Sequence, residues 1–185
     1  FSNISFDNNG ADNGYGAVLV VGKYVDNEIT FNNCSFSNNK GVYCGGLAFY
    51  QAQNTEMSGN FRVLNCTFSG NEATSQDEPT EQSNARSVAG ALVVQHRDNS
   101  ANVSVEISNA TFTKNKSTKY GVAKFDLKEE DAITISNLTL GGDLIDENDK
   151  ANISNISTQA GALFAINGTR KEANTTAFSI DNFIA

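Results

Sequence analysis

The sequence of 185 residues predicts an all-β protein, a single parallel β-helix domain over residues 1–185 with about six coils. Three observations predict this fold. A short motif returns about every 30 residues, apolar and polar residues alternate around each copy, and the alternation changes phase at an asparagine inside the motif.

The recurring motif is Asn-x-Ser/Thr-Phe-x-x-Asn. Its first asparagine lies at positions 3, 33, 65 and 109, with a weaker copy at 137, so the steps are 30, 32, 44 and 28 residues. The long step contains the polar segment 72–87 and the only proline, Pro79, which predicts a loop inserted into one coil. Each motif leads into a small-residue run and an apolar strand, at Gly16–Leu19, Gly45–Ala48, Gly90–Val93, Gly121–Ala123 and Gly161–Phe164.

The residues around each first asparagine predict two short strands that meet at a corner. Before Asn33 the apolar positions are Ile29 and Phe31, whereas after it they are Cys34 and Phe36. A straight strand cannot keep one inner face through this change, so the chain must bend at the asparagine, with the amide outward. Stacked coils would place Phe6, Phe36, Phe68 and Phe112 in one inner column with a spacing of about 4.8 Å.

The asparagine at the end of each motif has a different predicted role. Asn9, Asn39 and Asn71 follow the phenylalanine by three residues, as Asn115 does in the fourth copy. Stacked amides at equivalent positions could form an internal ladder. The last third of the chain is less regular, with strands expected at 132–140, 152–157 and 177–184 and a degenerate coil at 141–150.

Two other fold classes explain the sequence pattern less well. An α/β fold is excluded because no ten-residue segment combines helix formers with a period of 3.6. An antiparallel sandwich would also have many short strands, but it would not require stacked repeats.

The four Phe-x-x-Asn motifs, interleaved with Gly-Gly-Ala-like runs such as Gly45–Ala48, resemble the repeats of the chlamydial polymorphic membrane proteins. Those proteins are surface adhesins with a β-helical passenger. The resemblance covers residues 1–125 well and the remainder weakly. It implies a right-handed, pectin-lyase-like parallel β-helix and a role at the cell surface.

The chain is rich in the acceptor triplet for N-glycosylation, Asn-x-Ser/Thr. With 25 asparagines and 31 serines and threonines, about four such triplets are expected by chance, for a motif that reports surface attachment of a glycan. The alternative explanation is that these residue types simply suit corners and outward strand positions. Eleven triplets occur, none with proline in the middle: Asn3, Asn33, Asn65, Asn102, Asn109, Asn115, Asn137, Asn152, Asn155, Asn167 and Asn174.

The three cysteines suggest one disulfide at most. Cys34 and Cys66 occupy equivalent positions in adjacent coils, where stacking would bring their Cα atoms within disulfide range. Two free, buried thiols explain the pattern equally well. Cys44 has no obvious mate. Three scattered cysteines and one histidine lack the spacing of a metal site, so no metal or other cofactor is expected apart from covalent N-glycans.

The composition argues against several classes of binding partner. The net charge of −8 argues against nucleic acid or an anionic membrane as partner, and no apolar run approaches the length of a membrane span. Catalysis is not expected. His96-Arg97-Asp98 is interpreted as a turn, and so are two acidic clusters, comprising Asp126, Glu129, Glu130 and Asp131 and then Asp143, Asp146, Glu147 and Asp149.

The two ends of the sequence suggest self-association. If the last residues were placed before the first, Ile184 and Phe1 would lie four and two residues before Asn3, as in the internal repeats. Uncapped β-coils recruit further strands. The ends therefore suggest either a tandem unit of a longer chain or subunits stacked end to end, and an arbitrary boundary of a fragment is the other explanation. The predicted function is a structural subunit of a heavily N-glycosylated extracellular fibre or cell-surface appendage, secreted by or displayed on a eukaryotic cell and associating head to tail with itself. A cell-surface adhesin is the alternative, and a polysaccharide-active enzyme on a β-helix is the second.

Overall fold

The structure, a computed structural model, describes residues 1–22, 27–51, 57–75, 88–96, 102–128, 131–141, 156–157, 162–168 and 177–184. These residues form 17 β-strands and no helix. In chain order the strands are β1 Ser5–Asp7, β2 Val18–Gly22, β3 Asn27–Asn32, β4 Ser35–Ser37, β5 Lys40–Gly41, β6 Leu47–Gln51, β7 Gly59–Leu64, β8 Thr67–Ser69, β9 Glu72–Ala73, β10 Leu92–Gln95, β11 Val103–Thr113, β12 Lys116–Ser117, β13 Tyr120–Leu127, β14 Ala132–Leu140, β15 Ile156–Ser157, β16 Ala162–Gly168 and β17 Ala177–Ile184.

The strands form three sheets, and every described strand pair is parallel. The eight-stranded sheet has the order β1-β4-β8-β11-β14-β17, with β3 and β7 paired alongside and β7 joined to β11. The five-stranded sheet has the order β16-β13-β10-β6-β2, and the four-stranded sheet β15-β12-β9-β5. An antiparallel sandwich is therefore wrong for the described part of the chain.

The chain visits the three sheets in a fixed order. From β4 in the eight-stranded sheet it passes to β5 in the four-stranded sheet, to β6 in the five-stranded sheet, and back through β7. The same cycle recurs up to β17. Neighbouring strands of each sheet therefore come from successive sequence repeats, which explains why a motif spacing near 30 residues produces parallel pairing.

The predicted phenylalanine column is confirmed. Phe6 pairs in register with Phe36, Phe36 with Phe68, and Phe68 with Phe112. The ring centroids are 4.9, 4.7 and 4.7 Å apart, with interplanar angles of 13°, 4° and 7°. The same register places Leu140 after Phe112. The column lies in the main hydrophobic core, where the rings from Phe36 to Phe112 are fully buried.

The predicted change of phase is visible within a single strand. In β11, Val105 and Ile107 are buried before the corner at Asn109, and Ala110 and Phe112 are buried after it, whereas Asn109 itself is exposed. The small-residue runs serve close approach between repeats. A Cβ on Gly46 would lie 2.3 Å from the carbonyl oxygen of Ala91, so only glycine fits there.

Two predicted boundaries need correction. The polar segment 72–87 begins with strand β9, since Glu72 pairs with Lys40 and Lys116. The inserted loop therefore starts later, and residues 76–87 lie outside the described residues. The strand expected at 152–157 is described only as β15, whereas the strands expected at 132–140 and 177–184 coincide with β14 and β17. The segment 142–150, which holds the second acidic cluster, also lies outside the described residues.

The asparagine rows as a candidate glycosylation face

The outer asparagine row comprises the first asparagine of each motif. All five residues have left-handed backbone angles, with φ of 57° at Asn3, 53° at Asn33, 54° at Asn65, 52° at Asn109 and 51° at Asn137. Asparagine adopts this conformation at lower cost than most residues. All five are exposed, so the predicted outward corner is confirmed. At this corner the amide points to solvent while the next residue returns to the core.

Successive amides of the outer row are hydrogen-bonded. The Nδ2 of Asn33 donates to Oδ1 of Asn3 at 2.6 Å, that of Asn109 to Asn65 at 3.0 Å, and that of Asn137 to Asn109 at 2.9 Å. Asn65 instead donates to Oδ1 of Asn32, at 2.8 Å. The amide nitrogens of the candidate glycosylation sites thus follow one side of the eight-stranded sheet, about 4.8 Å apart from strand to strand.

The hydroxyl of each acceptor triplet follows the same line. Because residues two apart in a strand share a face, the Ser or Thr of the triplet lies beside its asparagine. Ser5 and Thr67 are exposed, and the Oγ of Ser35 donates to Oγ of Ser5 at 3.0 Å. Both chemical parts of the triplet are therefore exposed in the first and third motifs, whereas Ser35, Thr111 and Thr139 in the other copies are half-buried.

The inner asparagine row is arranged in the opposite way. Asn39, Asn71 and Asn115 are completely buried. The Oδ1 of Asn39 accepts from both N and Nδ2 of Asn9, each at 2.9 Å. Asn71 accepts in the same way from Asn39, and Asn115 from Asn71. Each Nδ2 also donates to the carbonyl of a phenylalanine one repeat earlier. These contacts confirm the predicted amide ladder.

The hydrogen bonds of the ladder determine the role of Asn115, which also begins an acceptor triplet in the sequence. Its Oδ1 accepts two hydrogen bonds from Asn71, and its Nδ2 donates to the carbonyl of Phe68 at 3.0 Å. A glycan on this buried Nδ2 would break the ladder and have no space. Asn115 is therefore corrected from a candidate glycosylation site to a core residue of the folded chain.

Two of the remaining triplets lie away from the two rows. Asn102 is exposed directly before β11, and its carbonyl accepts from the backbone nitrogen of Gly59 at 3.1 Å. Asn167 lies in β16, where its backbone pairs with that of Asp126. Asn152, Asn155 and Asn174 lie outside the described residues.

All three cysteines are buried, free thiols, so the candidate Cys34–Cys66 disulfide is not formed in the structure. The two residues lie next to each other in one inner row, and the thiol of Cys66 interacts with that of Cys34. Burial raises the pKa of the Cys66 thiol to about 11 and that of Cys44 to about 12. Buried thiols with raised pKa react slowly because the thiolate is the reactive form.

Sequence reasoning missed a buried polar cluster at the end of the five-stranded sheet. His96 and Asp131 have fully buried side chains, and Nδ1 of His96 lies 2.7 Å from Oδ2 of Asp131. The same carboxylate accepts from the backbone nitrogens of Val103 at 2.8 Å and Lys128 at 2.6 Å. The prediction that His96 and Asp131 lie in solvated turns is therefore wrong. No local signal could have found the pair, because its members are 35 residues apart.

A second polar feature lies on the outer face of the eight-stranded sheet. Arg62 is between Glu106, at 2.7 Å from its Nε, and Glu28, at 3.9 Å from its Nη1. The hydrogen bond to Glu106 and the two negative charges raise the pKa of Arg62. With Asn60 and Ser104, these residues line an open groove of about 240 Å³.

Among the described residues, no group of His, Cys, Asp and Glu side chains could hold a metal ion. The described residues also contain no helix that is long and apolar enough to span a bilayer. Searches of protein-family models, of curated proteins and of solved structures returned no match to this chain.

Proposed function

We propose that this chain is a structural subunit of an N-glycosylated extracellular fibre or cell-surface appendage, built as a right-handed parallel β-helix of about six coils. The observation that carries the proposal is the outer asparagine row, in which five acceptor triplets lie on one exposed line. Six coils at the strand spacing would make a rod about 29 Å long. Secretion from a eukaryotic cell follows from glycosylation of this kind.

Three parallel sheets support the β-helix, because the chain visits them in the same order in each repeat. The proposal adds end-to-end association of such rods, because the edge strands of a parallel sheet pair readily with further strands. Glycans along the outer row would oppose lateral pairing between rods and leave the ends as the preferred contact.

Glycosylation is tested by intact-mass measurement of the chain secreted from a glycosylating host, before and after enzymatic removal of N-glycans. The treated protein should lose the mass of several glycans. The Thr67→Ala variant removes the acceptor triplet of Asn65 and should lose one glycan at most. Its matched control is Ser117→Ala, which removes the triplet of the buried Asn115 and should leave the mass of attached glycan unchanged. An unaltered mass after deglycosylation would refute the proposal.

The fibre is tested by electron microscopy of the purified glycosylated chain at increasing concentration. Filaments with a width of one rod are expected. Monodisperse particles at every concentration would contradict end-to-end assembly, even where the glycans are present.

An adhesin is the second candidate. The groove lined by Glu28, Arg62 and Glu106 favours it, because an open polar surface suits a polar ligand such as a saccharide. A glycan-array experiment separates the two functions. Binding that the Arg62→Ala variant loses would favour the adhesin. A polysaccharide-active enzyme has no comparable observation in its favour.

A further inference from the structure

We propose that the open groove around Arg62 binds the first sugars of the N-glycan on Asn65 of the same chain. This inference rests on the glycosylation in the proposed function and names a contact that the attached glycan makes. The occupant of the groove is thus a neutral saccharide, tethered beside it by a covalent bond. The groove is lined by Glu28, Asn60, Arg62, Ser104 and Glu106.

The groove and the corner asparagine are close together on the outside of one strand. Arg62 lies in β7, and Asn65 directly follows the last residue of that strand. At about 3.3 Å per residue, the three residues between the two positions span about 10 Å. The side chain of Arg62 is 37% exposed, and Asn65 is exposed. The first sugars on Asn65 can therefore reach the groove without any change in the backbone.

The amide of Asn65 is oriented differently from its neighbours in the outer asparagine row. Asn33 and Asn109 donate from Nδ2 to the corner asparagine of the preceding repeat, whereas Asn65 donates to Oδ1 of Asn32 at 2.8 Å. Asn32 is the last residue of β3, and it shares a face of that strand with Glu28 of the groove. The amide of Asn65 is therefore held toward the strands that carry the groove.

This orientation is compatible with glycosylation. The side-chain amide of asparagine has two N–H donors. One hydrogen is replaced when Nδ2 forms the bond to the sugar, and the other can keep the hydrogen bond to Asn32. The contact that orients the amide of Asn65 is therefore retained in the glycosylated chain.

The groove offers the donors and acceptors that sugar hydroxyls need. The strand register places Asn60 between Glu28 and Ser104. In the neighbouring row, the Nε of Arg62 lies 2.7 Å from Glu106, and its Nη1 lies 3.9 Å from Glu28. These two carboxylates hold the guanidinium, which has five N–H donors in total. Amide, hydroxyl, guanidinium and carboxylate groups thus meet on the outer face of three strands.

The charges in the groove favour a neutral sugar. One guanidinium lies between two carboxylates, so the lining residues carry a net charge of −1 by type. An acidic saccharide would be repelled by Glu28 and Glu106. The sugars directly attached to an N-glycosylated asparagine are neutral, which matches this requirement.

The size of the groove favours a tethered ligand over a free one. Its volume of about 240 Å³ is below the roughly 300 Å³ at which pockets for drug-sized ligands begin. A free sugar would therefore bind weakly. A covalent tether gives a neighbouring ligand an effective concentration in the millimolar range, which compensates for weak contacts. The glycan of the chain itself is thus favoured over a saccharide on another molecule.

The contact is tested by the rate at which an endoglycosidase releases the glycan from Asn65. The chain is secreted from a host that adds high-mannose glycans and is treated without denaturation with an enzyme that cuts between the first two sugars. Site-resolved mass spectrometry follows the peptide that contains Asn65. Because a docked glycan is protected, Arg62→Ala should speed its release about fivefold, the factor expected for the loss of one hydrogen bond.

The matched control is Lys40→Ala, which removes an exposed cation from its ion pair with Glu72 in another sheet. It should leave the release from Asn65 unchanged. The glycan on Asn137 is the internal reference, because no described residue of its strand β14 lines the groove. Its release should be equally fast in the unmodified chain and in both variants.

A second variant covers the case in which Arg62→Ala does not fold. Asn60→Ala removes a polar group from the groove without breaking an ion pair, and it should also speed release from Asn65. Circular dichroism checks that each variant retains the β-sheet spectrum. If Arg62→Ala loses that spectrum, Asn60→Ala decides by the same criterion.

The outcomes separate this contact from the glycosylation on which it rests. Faster release at Asn65 confined to the groove variants would support both. Equal rates in all variants, or faster release at Asn65 and Asn137 alike, would overturn the contact and leave glycosylation standing. A missing glycan on Asn65, with glycans on other corner asparagines, would do the same. An absence of glycans at every site would overturn the proposed function and this contact together.

Discussion

At the scale of single residues, asparagine has two distinct roles in this fold. The corner asparagines such as Asn65 are exposed and left-handed, whereas the ladder asparagines such as Asn71 are buried and doubly bonded. Only six residues separate the two roles along the sequence. What distinguishes them is the direction of the side chain relative to the core.

A corner asparagine should tolerate glycine but not a β-branched residue. Asn65→Gly should leave the free energy of unfolding nearly unchanged, whereas Asn65→Val should lower it by about 1–2 kcal/mol because valine resists a left-handed backbone. Urea unfolding measures the difference. Thr67→Ala serves as the control, since it removes the glycan acceptor triplet and keeps the corner. Equal stability of the glycine and valine variants would refute the backbone explanation.

A ladder asparagine should be far less replaceable. Asn71→Ala removes the acceptor for the N and Nδ2 of Asn39 and the donor to Phe36 and Asn115. Leaving such buried groups unpaired should cost about 3 kcal/mol or more. The exposed Asn60, replaced by alanine, should change stability by less than about 0.5 kcal/mol. Similar unfolding midpoints for the two variants would show that the ladder does not stabilise the fold.

At the scale of elements, the strands are short and depend on polar connections between them. Asp131 joins the end of β10, the start of β11 and the turn before β14 through three hydrogen bonds. The exposed ion pair of Lys40 and Glu72 joins neighbouring strands β5 and β9 only at the surface. Burial therefore decides which of these polar contacts matters for stability.

Asp131→Ala should destabilise the fold by about 3–5 kcal/mol, because it leaves His96 and two backbone nitrogens without their buried partner. Lys40→Ala should cost less than about 1 kcal/mol, as is usual for an exposed pair. Thermal unfolding followed by circular dichroism compares the two variants. A cost for Asp131→Ala no greater than that for Lys40→Ala would contradict the structural role of the carboxylate.

At the scale of the whole molecule, the net charge of −8 opposes association between copies of this chain. If copies associate end to end, added salt should speed assembly by screening the overall repulsion. Light scattering should rise faster at about 500 mM than at about 20 mM sodium chloride, since the screening length falls well below the size of the chain. Faster assembly at low salt would indicate instead a contact based on opposite charges.

The sequence predicted much of this architecture because its information is local and periodic. Alternation with period two identified the strands, the change of phase at Asn33 and its equivalents identified the corners, and the spacing of the motif identified the register of the phenylalanine column. Each of these features is encoded within about ten residues and then repeated. The asparagine ladder was also predicted from equivalent positions in successive motifs.

The tertiary structure decided what depends on residues far apart in the chain. Asn115 satisfies the same acceptor triplet as Asn109, yet it is buried because its side chain faces Asn71, 44 residues away. Asp131 belongs to an acidic cluster that resembles a solvated turn, yet His96 and the backbone of β11 enclose it. The sequence by itself determined the strands, their corners and their stacking, since these follow from short-range patterns. Which polar groups are buried and which are exposed was decided only by packing between repeats, because burial depends on neighbours that the local sequence does not contain.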